Sequence, residues 1–288
     1  MFSFRTVMFG VALFSASSFA EQIIRTIGPQ TAVDGSHSYY TGLLERVIEV
    51  TVDEFGPARL ELIPHPGQGR VIRLLAMNLY YDVMWTGTSE QREEQLQAIK
   101  VPVFLGGLGI RGLVIHRDRI HEFSPVSNLY HLRQFIACQG EHWPDAVVLE
   151  HAGLRVARVG RFDSMLEMVV RQRCDYLPLS IFEGQAELDA VADRFPELVF
   201  LDSVLLRYPM AMYFFVHKDN EQLAERLERG MQTLALSGEL LIYMQQHPVT
   251  KAAFPLKRYR EARVFELANP LFKDQEVLSL AEYWLSLD

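Results

Sequence analysis

Tyr80-Tyr81-Asp82-Val83-Met84-Trp85-Thr86-Gly87-Thr88-Ser89-Glu90-Gln91-Arg92 opens as a short apolar run with aromatic and β-branched residues, as a buried strand does. It breaks at Gly87 into small hydroxyl residues and reaches a guanidinium at Arg92. A buried strand that opens into a polar loop ending on one guanidinium presents donors to a small anionic molecule. The same residues also read as a strand followed by a helix, with Ser89 as N-cap and Arg92 on the surface. Taken alone the stretch favours the cap, and the rest of the chain shifts the balance toward a ligand.

Upstream, residues 23–28 form a short β-type run, and Leu43, Leu44, Val47, Ile48 and Phe55 recur at helical spacing until Gly56. Residues 60–63 read as a second strand, and Val71, Ile72, Leu74 and Leu75 mark a second helix. Strand, helix, strand, helix, strand between residues 23 and 87 predicts right-handed crossovers and a parallel α/β sheet. Downstream, Gly107-x-Gly109-x-x-Gly112 matches a dinucleotide fingerprint in spacing only. Those glycines must open a helix, and here the strand-like Leu113-Val114-Ile115 follows, so the match is rejected.

A second α/β series starts near Leu132. Strands are predicted at residues 135–138, 154–159, 175–180 and 199–201, with helices at 146–151, around Met165 to Val170, and at 183–195. The apolar run 208–216 is assigned back to the first unit. An amphipathic helix follows from Asp219 or Asn220 to Gly238.

The N-terminus carries one positive charge within residues 1–5, an apolar run at 7–14, and small residues ending Ser18-Phe19-Ala20. That is a secretory signal pattern, too short for a membrane span of about 20 residues, with cleavage expected after Ala20. The mature protein is therefore expected to be exported, not membrane-embedded, and most simply periplasmic. A net charge of −8 argues against nucleic acid as a partner, and 49% apolar residues can fill a core. Cys138 and Cys174 would meet an oxidising compartment, so a disulfide is open to them, but two buried free thiols are the expectation.

Two further loops are candidate sites. Gln139 to Asp145 leads into a helix at Pro144, and Trp143 offers an apolar wall, although Asp145 counts against an anion there. Ser180 at a strand end and Glu183 just beyond it suit an ammonium group, while the residues alone favour Glu183 as a first-turn helix acid. The aromatics Tyr39, Tyr40, Trp85, Trp143 and Tyr208 all fall at or just beyond predicted strand ends, where open α/β sheets bind ligands. With Thr86, Gly87, Thr88, Arg92, Gln139, Asp145, Ser180 and Glu183 they make up the expected ligand-contacting set. The histidines are scattered, and no metal or cofactor site is read from them.

Taken together, the chain resembles a type II periplasmic solute-binding protein, closest to solute-binding protein family 3 and its polar amino acid binders. The resemblance rests on Tyr81-Asp82-Val83 through Ser89-Glu90-Gln91-Arg92, on 132–140, on Arg173-Cys174-Asp175-Tyr176, and on the return segment 208–217. It implies an α/β fold of two lobes, each a mainly parallel sheet flanked by helices. Lobe I would take residues 21–112 and 208–288 and lobe II residues 113–207, with a two-strand hinge near 112–117 and 206–212.

It also implies that Arg92 clamps a ligand carboxylate, and that an anionic or zwitterionic solute is held by hinge closure. The closed form, a monomer, would be read by an ABC transporter permease or a membrane sensor. Where the amino acid binders have small hydroxyl residues this chain has Trp85 and Gly87, and Ser180 stands where they have an acid. Two rivals are a periplasmic dehydratase of a prephenate-like acid, using Asp145, Glu183 or His142, and an adaptor that binds a protein through Trp284 and Leu285.

Overall fold

The structure, a computed structural model, describes residues 20–30, 34–273 and 275–286. The expected signal peptide, Ala20 apart, lies outside the described residues. Two sheets organise the rest. The first runs β2-β1-β3-β10-β4, from β1 (Gln22–Ile27), β2 (Ala58–Ile63), β3 (Val83–Gly87), β4 (Gln97–Ile99) and β10 (Met212–Val216). The second runs β11-β9-β5-β8-β6-β7, from β5 (Ile110–His116), β6 (Ile136–Gly140), β7 (Arg155–Val159), β8 (Tyr176–Ser180), β9 (Leu198–Arg207) and β11 (Arg263–Glu266).

Strands β1, β2 and β3 are parallel, as their alternation with helices predicts. β3 is buried along its whole length because it lies inside the sheet, flanked by β1 and β10. Arg25 at the end of this layer donates from Nη2 to Asp82 Oδ1 at 2.7 Å and from its backbone to Oδ2, which fixes where β3 begins. Helix His37–Val50 covers the sheet with one apolar stripe: Tyr39, Tyr40, Leu43, Leu44, Val47 and Ile48 are all buried. Each such side chain contributes roughly 1.5–3 kcal/mol of burial.

Each sheet is mainly parallel, with a single strand reversed within it. β10 runs antiparallel to both β3 and β4, and β5 runs antiparallel to both β8 and β9. The reason is topological: β10 re-enters the first sheet from the second, and β5 enters the second from the first, so neither has the helical crossover that makes a parallel neighbour. Residues 112–117, expected in the hinge, instead lie in β5 and just beyond it, held within the second sheet from both sides. The chain passes between the sheets at 100–109 and 208–211, and a third time between β10 and β11. β11, expected with the first lobe, pairs in parallel with Val204–Arg207 of β9.

Cys138 and Cys174 form a disulfide across 36 residues, with a Cα–Cα separation of 5.5 Å. This corrects the expectation of two free thiols. β6 and β8 are parallel neighbours in the sheet, so the cysteine at the centre of one strand and the one just before the other converge. At the other end, Trp284 packs over Gly106, and Leu285 N donates to Leu105 O at 2.9 Å. A Cβ on Gly106 would lie 2.1 Å from the Trp284 ring, so the glycine makes room for the chain terminus.

Candidate functional site

A cleft opens between the two sheets, its walls supplied by both. Its empty space, open solvent at the mouth included, is about 980 Å³, of which about 100 Å³ admits the centre of a water-sized sphere. Of the expected contacts, Tyr40, Trp85, Thr86, Gly87, Trp143, Asp145 and Glu183 line it. Tyr39, Thr88, Arg92, Gln139, Ser180 and Tyr208 do not.

The second group is buried for local reasons. Tyr39 stacks on Phe104 with ring centres 4.7 Å apart and donates to Val103 O. Thr88 donates to Glu93 Oε1 at 2.5 Å. Gln139 and Ser180 are fully buried in β6 and β8, and Ser180 accepts from Phe182 N at 3.2 Å. Tyr208 stands behind the wall and donates to Asp145 Oδ1 at 2.5 Å.

Arg92 combines both readings of its stretch. Ser89 does cap helix Glu90–Gln95, accepting from Arg92 N. Yet the Arg92 side chain is not on the surface: the residue is only 8% exposed. Nη1 donates to Thr86 Oγ1 at 2.9 Å and to Gly87 O. Nη2 donates to Gln68 Oε1 at 3.3 Å and crosses to His142 O of the second lobe at 2.5 Å. Burial lowers its pKa to about 10, and it stays charged at neutral pH.

Arg111, at the start of β5, was not among the expected residues. It is 3% exposed and its Nη2 lies 2.5 Å from Asp145 Oδ1, itself 3% exposed. Pro144 and Asp145 begin helix Asp145–His151, and that placement aims the carboxylate back at β5. Arg111 Nε is buried without an acceptor. The sequence signal was a lone cation inside the apolar run Ile110 to Ile115, since a charge there must be paired.

Elsewhere the cleft lining is acidic and aromatic. Tyr40 stacks on Trp85 with ring centres 4.7 Å apart and planes 13° off parallel, and His37 leans on Trp85 at 5.6 Å. Tyr40 Oη donates to Glu183. Glu187, one helical turn on from Glu183, and Asp34 complete this wall, and none of the expected residues included them. The four-residue spacing of Glu183 and Glu187 places both on one face, a signal the sequence did carry.

Burial raises the pKa of Glu183 against the pull of Tyr40 and Arg111. Burial likewise raises Glu187, to about 8, with Asp34 and Glu183 adding to the effect. Trp143 folds back over Gly140, where a Cβ would come within 2.5 Å of the indole, and it faces the cleft beside Phe162. Among the described residues, four carboxylates and one guanidinium line the cleft, and no group of three or more His, Cys, Asp or Glu side chains could hold a metal ion.

No protein-family model matches this sequence, and no curated protein matches it. Solved structures do. An amino acid ABC transporter substrate-binding protein from Streptococcus pneumoniae, bound to L-arginine, aligns with TM-score 0.56 at 14% identity, covering 81% of this chain and 95% of that one. A periplasmic His/Glu/Gln/Arg/opine family-binding protein from Silicibacter pomeroyi, in complex with lysine, aligns with TM-score 0.56 at 11% identity, covering 78% and 95%. A histidine kinase sensor domain with similarity to periplasmic binding proteins aligns with TM-score 0.54 at 16% identity, covering 77% and 93%. The chain thus has the two-lobed α/β fold of the periplasmic binding proteins, and no described helix is long and apolar enough to cross a membrane.

Proposed function

We propose that this protein binds a small solute carrying a positively charged nitrogen in the cleft between its lobes, and that closure of the lobes captures it. One observation carries this reading: the two lobes are bonded to each other at the cleft and just behind its lining. Tyr40 of the first reaches Glu183 of the second, and Arg92 of the first reaches His142 O of the second. A solute that bridges the same walls stabilises the closed arrangement by mass action.

The charge balance shifts the expectation of an anionic or zwitterionic solute toward its cationic group. Three of the four lining carboxylates, Asp34, Glu183 and Glu187, share one side of the cleft with the Tyr40–Trp85 stack. A cation satisfies both, through charge and through the aromatic faces. The closed form would then be handed to a membrane partner outside the cell's inner compartment, a transporter permease or a sensor, and the fold likenesses include proteins described in both terms.

Native mass spectrometry of the gently purified secreted protein, with small-angle scattering before and after removal of small molecules, tests this. A small-molecule adduct, and expansion when it is dialysed away, are expected. A protein that carries nothing and keeps one compact shape under a broad solute screen would sink the proposal.

A further inference from the structure

We infer that the solute is an organic amine or guanidine without a carboxylate beside its cationic group: an amine rather than an amino acid. This rests on the cleft being the solute site, and it follows from which charges in that cleft are already spent.

An amino acid needs a cation for its carboxylate. The two buried guanidiniums near the cleft are Arg92 and Arg111. Arg92 is occupied by Thr86, Gly87 O, Gln68 and His142 O, and it lies behind the lining rather than in it. Arg111 does line the cleft, but Asp145 sits 2.5 Å from its Nη2 and cancels its charge, with Tyr208 bonded to the same carboxylate oxygen. Among its fully buried donor atoms, Arg111 Nε has no acceptor. In a neutralised pair that donor suits a neutral acceptor, such as a hydroxyl, carbonyl or water. A carboxylate placed there would meet Asp145 at the same time, with like charges in a low-dielectric wall.

The opposite holds for a cation. Glu183 receives a hydrogen bond from the neutral Tyr40 Oη, and Glu187 lies beside Ser36, so both carboxylates are held by neutral donors. Asp34 comes from the other lobe and is fixed by the backbone N–H groups of Gln30, Ser36 and His37. An ammonium or guanidinium placed among these three would favour their ionised forms, drawing the raised Glu183 and Glu187 back toward the ordinary carboxylate range. The stacked Tyr40–Trp85 pair beside them offers a face to the cation or to an apolar body next to it.

Isothermal titration at neutral pH with three pairs tests the inference: agmatine and arginine, putrescine and ornithine, phenethylamine and phenylalanine. At least one amine is expected to bind ~10-fold or more tightly than its amino acid, the scale of one charge-assisted contact. Glu183→Gln is expected to weaken that amine by ~10-fold or more. Glu187→Gln provides the same readout should Glu183→Gln not fold. An amino acid that binds as tightly as its amine, or unchanged amine affinity in both variants, overturns the inference. Silence from all six compounds also overturns it. In that case a copurified adduct of another class would leave the cleft reading standing, whereas an empty, unresponsive protein would end both.

Discussion

Arg92 Nη2 lies 2.5 Å from the backbone carbonyl of His142, so a side chain rooted just beyond β3 of one lobe is bonded to a loop of the other. The guanidinium that the sequence offers as a ligand clamp serves here as a clasp between lobes. Its partners are all neutral oxygens, and that suits a group that opens and closes: each can be given up to water at modest cost, unlike a buried ion pair.

Arg92→Ala should therefore act before any solute is added. Removing the clasp leaves Gly87 O and His142 O with fewer donors, with an expected loss of about 2–4 kcal/mol of stability by chemical denaturation. Small-angle scattering of the solute-free variant should show a larger radius of gyration. Equal stability and equal radius would show that Arg92 does not couple the lobes.

Asp145→Asn is expected to be the more damaging change. It leaves Arg111 buried and unpaired, a situation that costs about 3–5 kcal/mol. Replacing both partners with apolar residues, Asp145→Leu with Arg111→Met, should recover much of that loss in a urea titration. If the double variant is as unstable as the single one, the pair is not what makes Asp145→Asn costly.

The pH dependence of the solute-free protein has a definite sign. Burial raises Glu187 from its ordinary 4.5 to about 8 in the folded state. Below pH 4.5 both states hold the proton; as pH rises toward 8 the unfolded chain loses it first, so this group's stabilisation fades across that window. His65, whose pKa burial lowers, acts in the opposite direction. The difference between wild type and Glu187→Gln isolates the carboxyl: the wild type should lose more Tm between pH 5 and 8. Parallel curves would show that Glu187 titrates normally.

The Cys138–Cys174 bridge closes a loop of 36 residues within the second sheet. On the chain-entropy account such a crosslink contributes about 4 kcal/mol. A Cys138→Ser, Cys174→Ser double variant should melt well below the wild type, and reductant should not lower its Tm further. A wild type indifferent to reductant under denaturing conditions would argue that the bond is not formed in the protein.

Much was legible from the chain alone. Apolar runs separated by helical spacing locate β1, β2 and β3 and their parallel order, although of the three only β3 is buried along its whole length. The wall residues Tyr40, Trp85, Trp143, Asp145 and Glu183 were legible too, since they stand near breaks in those patterns. Local chemistry also foresaw the Ser89 cap, because capping involves residues three apart.

Pairing over distance was not legible. Periodicity marks Cys138 as a strand residue but says nothing of Cys174, and sheet order alone brings them together. The same holds for Arg111 and Asp145, which are joined only because β5 lies beneath the helix that Asp145 begins.

For the stretch from Tyr80 to Arg92, sequence alone determined a buried strand, a glycine break and a capped helix, each a matter of neighbours along the chain. Only the tertiary structure decided what Arg92 touches. A guanidinium binds whatever acceptors the fold brings within about 3 Å, and here the second lobe brings the carbonyl of His142.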